Sequence, residues 1–182
     1  MKRSIIAVAV LSSLFMSAGN AAEVENAMGT LNINGRVVGT TCQFLSGSDN
    51  ATIEMSAIGA EQIRAVEVGD TVTNYSNTTS LPLKVQCEKG TTPRITFSST
   101  QFEGSDLNIT RNTGDAKGVG FAVFYGQEAS DSKRITGNNP VELTSSDNGE
   151  YDLHFTAQYA KAGADVSTGG VKSTITMTVV AD

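Results

Sequence analysis

Apolar and polar side chains alternate along most of this chain. Short runs rich in β-branched and aromatic residues are separated by turn residues such as Gly, Asn, Asp and Ser, which is the pattern of strands in antiparallel sheets. The runs cover residues 51–55, 81–87, 94–99, 118–126, 151–160 and 173–181. No segment keeps a long helical period, although 57–69 has room for a helical turn or two in a surface connection. The pattern predicts an all-β, immunoglobulin-like antiparallel β-sandwich.

The two ends of the chain carry the clearest alternation. In the stretch "GTLNINGRVVGTTC" (29–42), period-two spacing places one set of residues on a single face, namely Leu31, Ile33, Gly35 and Val37. In "STITMTVVAD" (173–182) the corresponding set is Ile175, Met177, Val179 and Ala181. Both segments are therefore predicted to be strands with one buried face.

Three interpretations of the first strand remain open from the pattern alone. Asn34-Gly35 is a strong type I′ turn signal, so residues on either side of it can form the first hairpin of a self-contained sandwich. The segment before Gly35 can instead be an extended arm that adds a strand to another molecule. It can also be a disordered leader.

Residues 1–22 have the organisation of an export signal. Two basic residues precede an apolar stretch that is short for a membrane span, and small residues follow it. Removing this segment changes the formal net charge from -6 to -8, because it carries two of the 13 basic residues and none of the 19 acidic ones. An exported acidic domain without a basic cluster argues against binding to nucleic acid or anionic lipid.

Cysteine and histidine usage limits the chemistry. The chain has two cysteines, Cys42 and Cys87, and outside the cytoplasm such a pair is predicted to form a disulfide. His154 is the only histidine and is expected on the exposed face of its strand. The sequence contains no nucleophile-elbow, phosphate-loop or zinc-protease motif, and the acidic residues of its turns are expected to be solvated. We therefore predict no catalytic, cofactor-binding or metal site.

Five stretches together resemble the chaperone–usher fimbrial subunits of the type 1 pilin family. They are "GTLNINGRVVGTTC" (29–42), "LPLKVQC" (81–87), "GVGFAVFYG" (118–126), "LHFTAQY" (153–159) and "VSTGGVKSTITMTV" (166–179). The first is similar to the family's N-terminal arm running into the first cysteine, and "LHFTAQY" is similar to its L-x-F-x-A-x-Y signature. The resemblance extends over the whole chain after residue 22.

The resemblance implies an incomplete immunoglobulin-like sandwich, the pilin fold, which lacks its seventh strand and has an N-terminal donor-strand extension. A periplasmic pilus chaperone lends a strand to the open groove, and at the outer-membrane usher the arm of the next subunit replaces it. The implied segments are a donor arm at 23–34 and a pilin domain at 35–182. The implied donor positions are Leu31, Ile33, Gly35 and Val37, and the implied groove and chaperone-contact positions are Ile175, Met177 and Val179.

The resulting expectation is a structural subunit, exported through the periplasm, whose missing strand comes from a neighbouring copy in a homopolymer on the cell surface. An isolated chain is then expected to leave its groove open. The alternatives are a minor adaptor subunit, or a self-contained secreted β-sandwich that binds carbohydrate as a stable monomer. One departure from the resemblance is Ala181, which stands where many such subunits have tyrosine.

Overall fold

A computed structural model describes residues 29–35, 42–144 and 146–181, without the side chains of 29–31 and 33–35. The predicted export signal, the first part of the predicted arm and Val37 lie outside these residues. Within the described part no helix is long and apolar enough to cross a bilayer.

The described chain is built mainly of strands, as the alternation predicts. They are β1 (Gly29–Gly35), β2 (Cys42–Phe44), β3 (Asn50–Met55), β4 (Thr71–Thr78), β5 (Leu83–Cys87), β6 (Pro93–Phe97), β7 (Phe102–Glu103), β8 (Ile109–Thr110), β9 (Val119–Tyr125), β10 (Val141–Glu142), β11 (Glu150–Leu153), β12 (Phe155–Lys161) and β13 (Lys172–Ala181). One short helix, α1 (Ala60–Arg64), lies in the connection where the sequence predicts a helical turn. Its Ile63 is buried, which fixes this connection against the core.

Two layers enclose the main core. The first is a five-stranded sheet in the order β10-β6-β13-β1-β3, and the second combines the three-stranded sheets β11-β5-β2 and β4-β12-β9. Strands β11 and β12 follow one another with only His154 between them, so the chain passes from one of these small sheets to the other. The core cluster takes Ile175 from the first layer together with Leu83 and Phe121 from the second. The immunoglobulin-like sandwich predicted from the sequence is confirmed.

All described strand pairings are antiparallel except one. Strand β1 runs parallel to β13 on one side and antiparallel to β3 on the other. Since β13 and β3 pair with β1 and not with each other within the described chain, β1 completes the first sheet.

Two further details differ from the sequence analysis. Strand β4 was not predicted, because its sequence "TVTNYSNT" is polar at most positions, and only half-buried or exposed residues occur along it. The hairpin interpretation of Asn34-Gly35 is wrong, since both residues continue β1 in register with Thr176 and Met177. A strand whose two edges are already paired has no room for a two-residue turn at that point.

The predicted disulfide joins Cys42 to Cys87, which are directly opposite each other in β2 and β5. Both cysteines are buried. The bond joins two adjacent strands of the second layer.

Candidate assembly site

The site most relevant to assembly is the space between β13 and β3, which we call the slot. Strand β1 fills it along its whole length. Residues 30–35 of β1 are in register with 172–177 of β13, and residues 29–34 with 55–50 of β3. The slot therefore offers hydrogen-bonding partners on both edges of the inserted strand.

Alternate positions of the slot face the core. On β13 the inward-facing residues Ser173, Ile175, Met177 and Val179 are each 0% exposed. On β3, Ile53 and Met55 are buried and Ala51 is half-buried against the core. Leu31 is in register with Ser173 and Ile53, and Ile33 with Ile175 and Ala51. The odd-numbered positions of β1 thus lie in line with the buried positions of both neighbouring strands.

The intervening positions are polar on all three strands. Thr30 is in register with Lys172 and Glu54, and Asn32 with Thr174 and Thr52. The Thr52 hydroxyl donates a hydrogen bond to Asn32 Oδ1 over 3.0 Å. A slip of one residue would carry Leu31 and Ile33 into these polar positions, so the two faces of the slot specify the register.

Ser173 is the one polar residue among the inward-facing positions of β13. Its Oγ accepts a hydrogen bond from Thr110 Oγ1 at 2.9 Å and donates one to the Arg111 carbonyl at 2.8 Å. The Thr110 hydroxyl in turn accepts from the Phe121 amide at 3.1 Å. Because this buried hydroxyl is satisfied, it does not carry the cost of an unpaired polar group.

On the edge of β13 that faces away from β1, two side-chain amides form hydrogen bonds with the first half of the strand. Asn112 Oδ1 accepts from the Lys172 amide at 2.9 Å, and Gln101 Oε1 accepts from the Thr176 amide at 2.6 Å. Only from Met177 onward does β6 provide a strand partner on this side. The first half of β13 therefore has β1 as its strand partner in the described structure, which makes this half the wall of the slot.

The predicted groove residues fall in two places. Ile175 and Met177 lie in the slot wall, in register with Ile33 and Gly35. Val179 is equally buried on the same face, but it is in register with Ile95 of β6 rather than with a described residue of β1. The sequence analysis did not identify the opposite wall, formed by the inward-facing residues Ala51, Ile53 and Met55, although the alternation in "ATIEM" marks them as half of an apolar face.

The occupant of the slot differs from the expectation for an isolated chain. The groove was expected to stay open until a neighbouring copy filled it, whereas here the chain's own β1 fills it. An open slot would expose apolar residues and leave two strand edges unpaired, both of which are unfavourable in water. The chain's own arm is the available strand that removes both costs.

His154 is not on an exposed strand face as predicted. It lies between β11 and β12, half-buried, where its carbonyl accepts a hydrogen bond from the Gly126 amide. Its Nε2 is 3.3 Å from Gln127 Nε2, and its Nδ1 is buried without a hydrogen-bond partner among the described residues. The described residues contain no group of three or more potential metal ligands.

Arg134 lies outside the three strands of the slot. Burial lowers the pKa of the Arg134 guanidinium, and the carboxylates of Asp131, Asp70 and Asp106 oppose this effect. Arg134 Nη2 donates to the Gly69 carbonyl at 3.1 Å. This arginine therefore joins surface loops.

Comparisons with known proteins identify fimbrial relatives. The chain is 32% identical to the uncharacterized fimbrial-like protein YehD of Escherichia coli K12, an alignment that covers all of both chains. It is 30% identical to the type 1 fimbrin D-mannose specific adhesin of the same organism over 67% of this chain and 40% of that protein.

Among solved structures, the CupB6 tip adhesin of Pseudomonas aeruginosa is similar with a TM-score of 0.41 and 12% identity, over 86% of this chain and 43% of that one. Likeness at this level carries no assignment. The model of the family described as "Fimbrial protein" matches residues 31–180, which contain the slot and nearly all of its occupant. The chain belongs to the fimbrial protein family.

Proposed function

We propose that this protein is a structural subunit of a bacterial fimbria that polymerises by exchanging β1 between copies. In the polymer, the arm of one subunit fills the slot of the next. In a lone chain, β1 makes the same contact with the slot of its own chain. Family membership supports association with other fimbrial subunits in a surface appendage.

The observation that carries the proposal is that β13 and β3 are joined only through β1 in the described structure. The strand that follows β1 in the chain, β2, lies in another sheet. Another identical chain can therefore supply β1 to this sheet, as in domain swapping. The register of β1 with both walls, which keeps its polar positions opposite polar ones, supports the proposal.

The contact is strong enough to join subunits. Leu31 and Ile33 are in register with buried positions of both walls, and burying an aliphatic side chain of this size contributes about 1.5 to 3 kcal/mol before entropic costs. The two ladders of β1 add main-chain hydrogen bonds worth about 0.5 to 1.5 kcal/mol each. Because the inserted strand becomes part of a core, we expect the joint to persist through slow unfolding.

Exchange between identical copies is directional. The arm and the slot are different surfaces, so each contact is head-to-tail and leaves one free arm and one free slot at the ends of the assembly. Such contacts build an open filament, which is the architecture of a fimbria.

The route to the surface follows from the same chemistry. A subunit with an unfilled slot exposes an aggregation-prone edge, so a periplasmic chaperone protects it and an outer-membrane usher exchanges the chaperone's strand for an arm. The predicted export signal and the disulfide support passage through an oxidising periplasm. The protein acts by assembly and has no enzymatic role.

A second candidate is a self-contained secreted sandwich. The self-inserted β1 favours it, because a chain that fills its own slot needs no partner to complete its core. It predicts a monomer that is stable without a chaperone.

Periplasmic expression with and without the cognate chaperone separates the candidates. The proposal predicts chaperone-dependent polymers that disappear when residues 23–34 are deleted. It also predicts that Gly35→Leu blocks polymerisation while chaperone binding persists, because a large residue beside Met177 cannot enter the slot. Polymers from the truncated chain would contradict the proposal, and a full-length protein that stays monomeric with the chaperone and usher present would favour the second candidate.

A further inference from the structure

The edge of β13 that faces away from β1 changes its partner halfway along the strand. From Met177 onward it pairs with β6, which ends the pairing at Phe97. There the chain leaves the sheet through one turn of 3₁₀ helix (Ser99–Gln101) and continues through β7 and β8. We call residues 98–113 the brace, because they cover this edge along the first half of β13.

Gln101 of the brace binds Thr176 through both ends of its side-chain amide. Its Oε1 accepts a hydrogen bond from the Thr176 amide at 2.6 Å, and its Nε2 donates one to Thr176 Oγ1 at 3.1 Å. The Thr176 carbonyl accepts from the Ser98 amide at 3.3 Å. Gln101 is fixed in turn, since its carbonyl accepts from the Arg111 amide at 2.8 Å. The backbone of Thr176 is therefore satisfied on this edge without a neighbouring strand.

Asn112 has the same role at the beginning of β13. Its Oδ1 accepts from the amides of Gly114 and Lys172, at 2.8 and 2.9 Å, and its Nδ2 donates to the Ala116 carbonyl at 2.7 Å. The next residue, Thr113, donates its amide to the Lys172 carbonyl at 2.7 Å. The Asn112 side chain thus joins a closed loop of the brace to the backbone of β13.

The two walls of the slot are held unequally. Strand β3 lies at the end of its sheet and has β1 as its strand partner in the described chain. Away from β1, its Glu54 carbonyl accepts from Asn77 Nδ2 at 2.6 Å. The first half of β13 is bonded to the brace at Lys172, Ser173 and Thr176. These bonds to the brace do not involve β1, so they can persist when β1 leaves the slot.

We propose that Gln101 and Asn112 are positioning residues for strand exchange. They keep the first half of β13 in place while the slot is empty, so that an arriving arm meets one wall that is already ordered. A wall that had to be ordered again would add its conformational entropy to the cost of each exchange. This inference rests on the proposed function, because it takes the slot as the place where the arm of another copy binds.

Uptake of an arm peptide by the folded protein tests this role. The full-length monomer is mixed with a fluorescently labelled synthetic peptide of residues 23–37, and uptake is followed by fluorescence anisotropy. Denaturant is added, below the unfolding transition, until amide hydrogen exchange of residues 30–35 reports a measurable open population of β1. The uptake rate divided by this population, which we call the uptake ratio, measures how well the open slot accepts the peptide. A variant that only destabilises the fold changes the open population and leaves the uptake ratio unchanged.

Two substitutions at Gln101 separate its polar contacts from its size. Gln101→Met keeps the length of the side chain but removes both hydrogen bonds to Thr176. We expect it to lower the uptake ratio roughly ten-fold, because the Thr176 amide loses its acceptor. Gln101→Glu retains an acceptor for the amide, and its carboxylate also accepts from the Thr176 hydroxyl. It should stay within about two-fold of the unaltered protein.

Asn112→Leu should lower the uptake ratio as Gln101→Met does, because it removes the acceptor of the Lys172 amide. Gln86→Met is the matched control. Gln86 is also a half-buried amide, but it lies in β5 of the second layer and donates to the Asn148 carbonyl at 3.2 Å. Its loss should leave the uptake ratio unchanged. A peptide of the same composition in scrambled order should not be taken up.

The outcomes distinguish this inference from the proposed function. An unchanged uptake ratio in Gln101→Met and Asn112→Leu would overturn the inference, as would an equal fall in Gln86→Met or a Gln101→Glu variant that behaves like Gln101→Met. In each of these cases the slot still takes an arm from another molecule. No uptake by the unaltered protein, with β1 measurably open, would instead contradict the proposed function itself.

Discussion

Ile175→Ala should release β1 from the slot much more than Val179→Ala does. Both residues are fully buried on the same face of β13. They differ in their strand partners, since Ile175 is in register with Ile33 of β1 whereas Val179 is in register with Ile95 of β6. Comparing the two variants therefore separates the loss of contacts with β1 from a general loss of core packing.

The magnitudes follow from the atoms removed. Truncating Ile175 deletes three carbons, or about 2.4 kcal/mol of transfer free energy at about 0.8 per methylene, and the residual cavity raises the cost toward the range of about 2 to 5 kcal/mol. Val179→Ala deletes two carbons and costs about 1.6 kcal/mol of transfer free energy. If one or two kcal/mol of the first loss falls on contacts with β1, the open population of the arm rises by a factor of about 5 to 30.

Amide hydrogen exchange of residues 30–35 measures that opening. In the purified monomer, we expect Ile175→Ala to accelerate exchange in β1 by this factor, while Val179→Ala changes it less than about two-fold after both are compared at equal global stability. Equal acceleration of β1 by both variants would refute the view that the first half of β13 is specifically the wall of the slot.

Two further predictions concern the frame around the slot. Reducing the Cys42–Cys87 bond, which spans 45 residues of sequence, should lower the free energy of unfolding by about 4 kcal/mol, as measured by denaturant titration with and without reductant; an unchanged midpoint would contradict this. Gly118→Ala should lower the thermal midpoint more than Gly47→Ala. Both glycines have positive φ, but a Cβ at Gly118 would overlap the Asp165 carbonyl oxygen, whereas one at Gly47 meets nothing within 4 Å. Equal losses in the two variants would show that backbone strain, rather than the close approach, decides the cost.

Local pattern was sufficient to predict most of the fold. Runs such as 94–99 and 173–181 alternate because one face of each strand packs on the core, and that information is present in each segment by itself. Strand β4 lacks this alternation, because its position at the margin of a small sheet leaves all of its side chains half-buried or exposed.

The slot could be predicted only in part. Ile175 and Met177 were identified through alternation and family resemblance, but the opposite wall on β3 depends on which strands become neighbours in space. That arrangement is set by long-range pairing, which no local pattern encodes. The same limit explains the error at Asn34-Gly35, where a strong turn propensity yields to pairing on both edges of β1.

The direct test of strand exchange asks whether arm and slot in a polymer come from different chains. Position 32 of the arm is in register with Thr174, so Asn32→Cys with Thr174→Cys reports insertion of the arm beside β13. Polymers assembled from an equal mixture of ¹⁴N- and ¹⁵N-labelled chains are cross-linked, digested and analysed by mass spectrometry. Strand exchange predicts cross-linked peptides that join the arm of a ¹⁴N chain to β13 of a ¹⁵N chain, or the reverse, in the proportion expected for random mixing. Cross-linked peptides that are all purely light or purely heavy would mean that each subunit keeps its own arm, and would contradict the proposal that the fibre is joined through the slot.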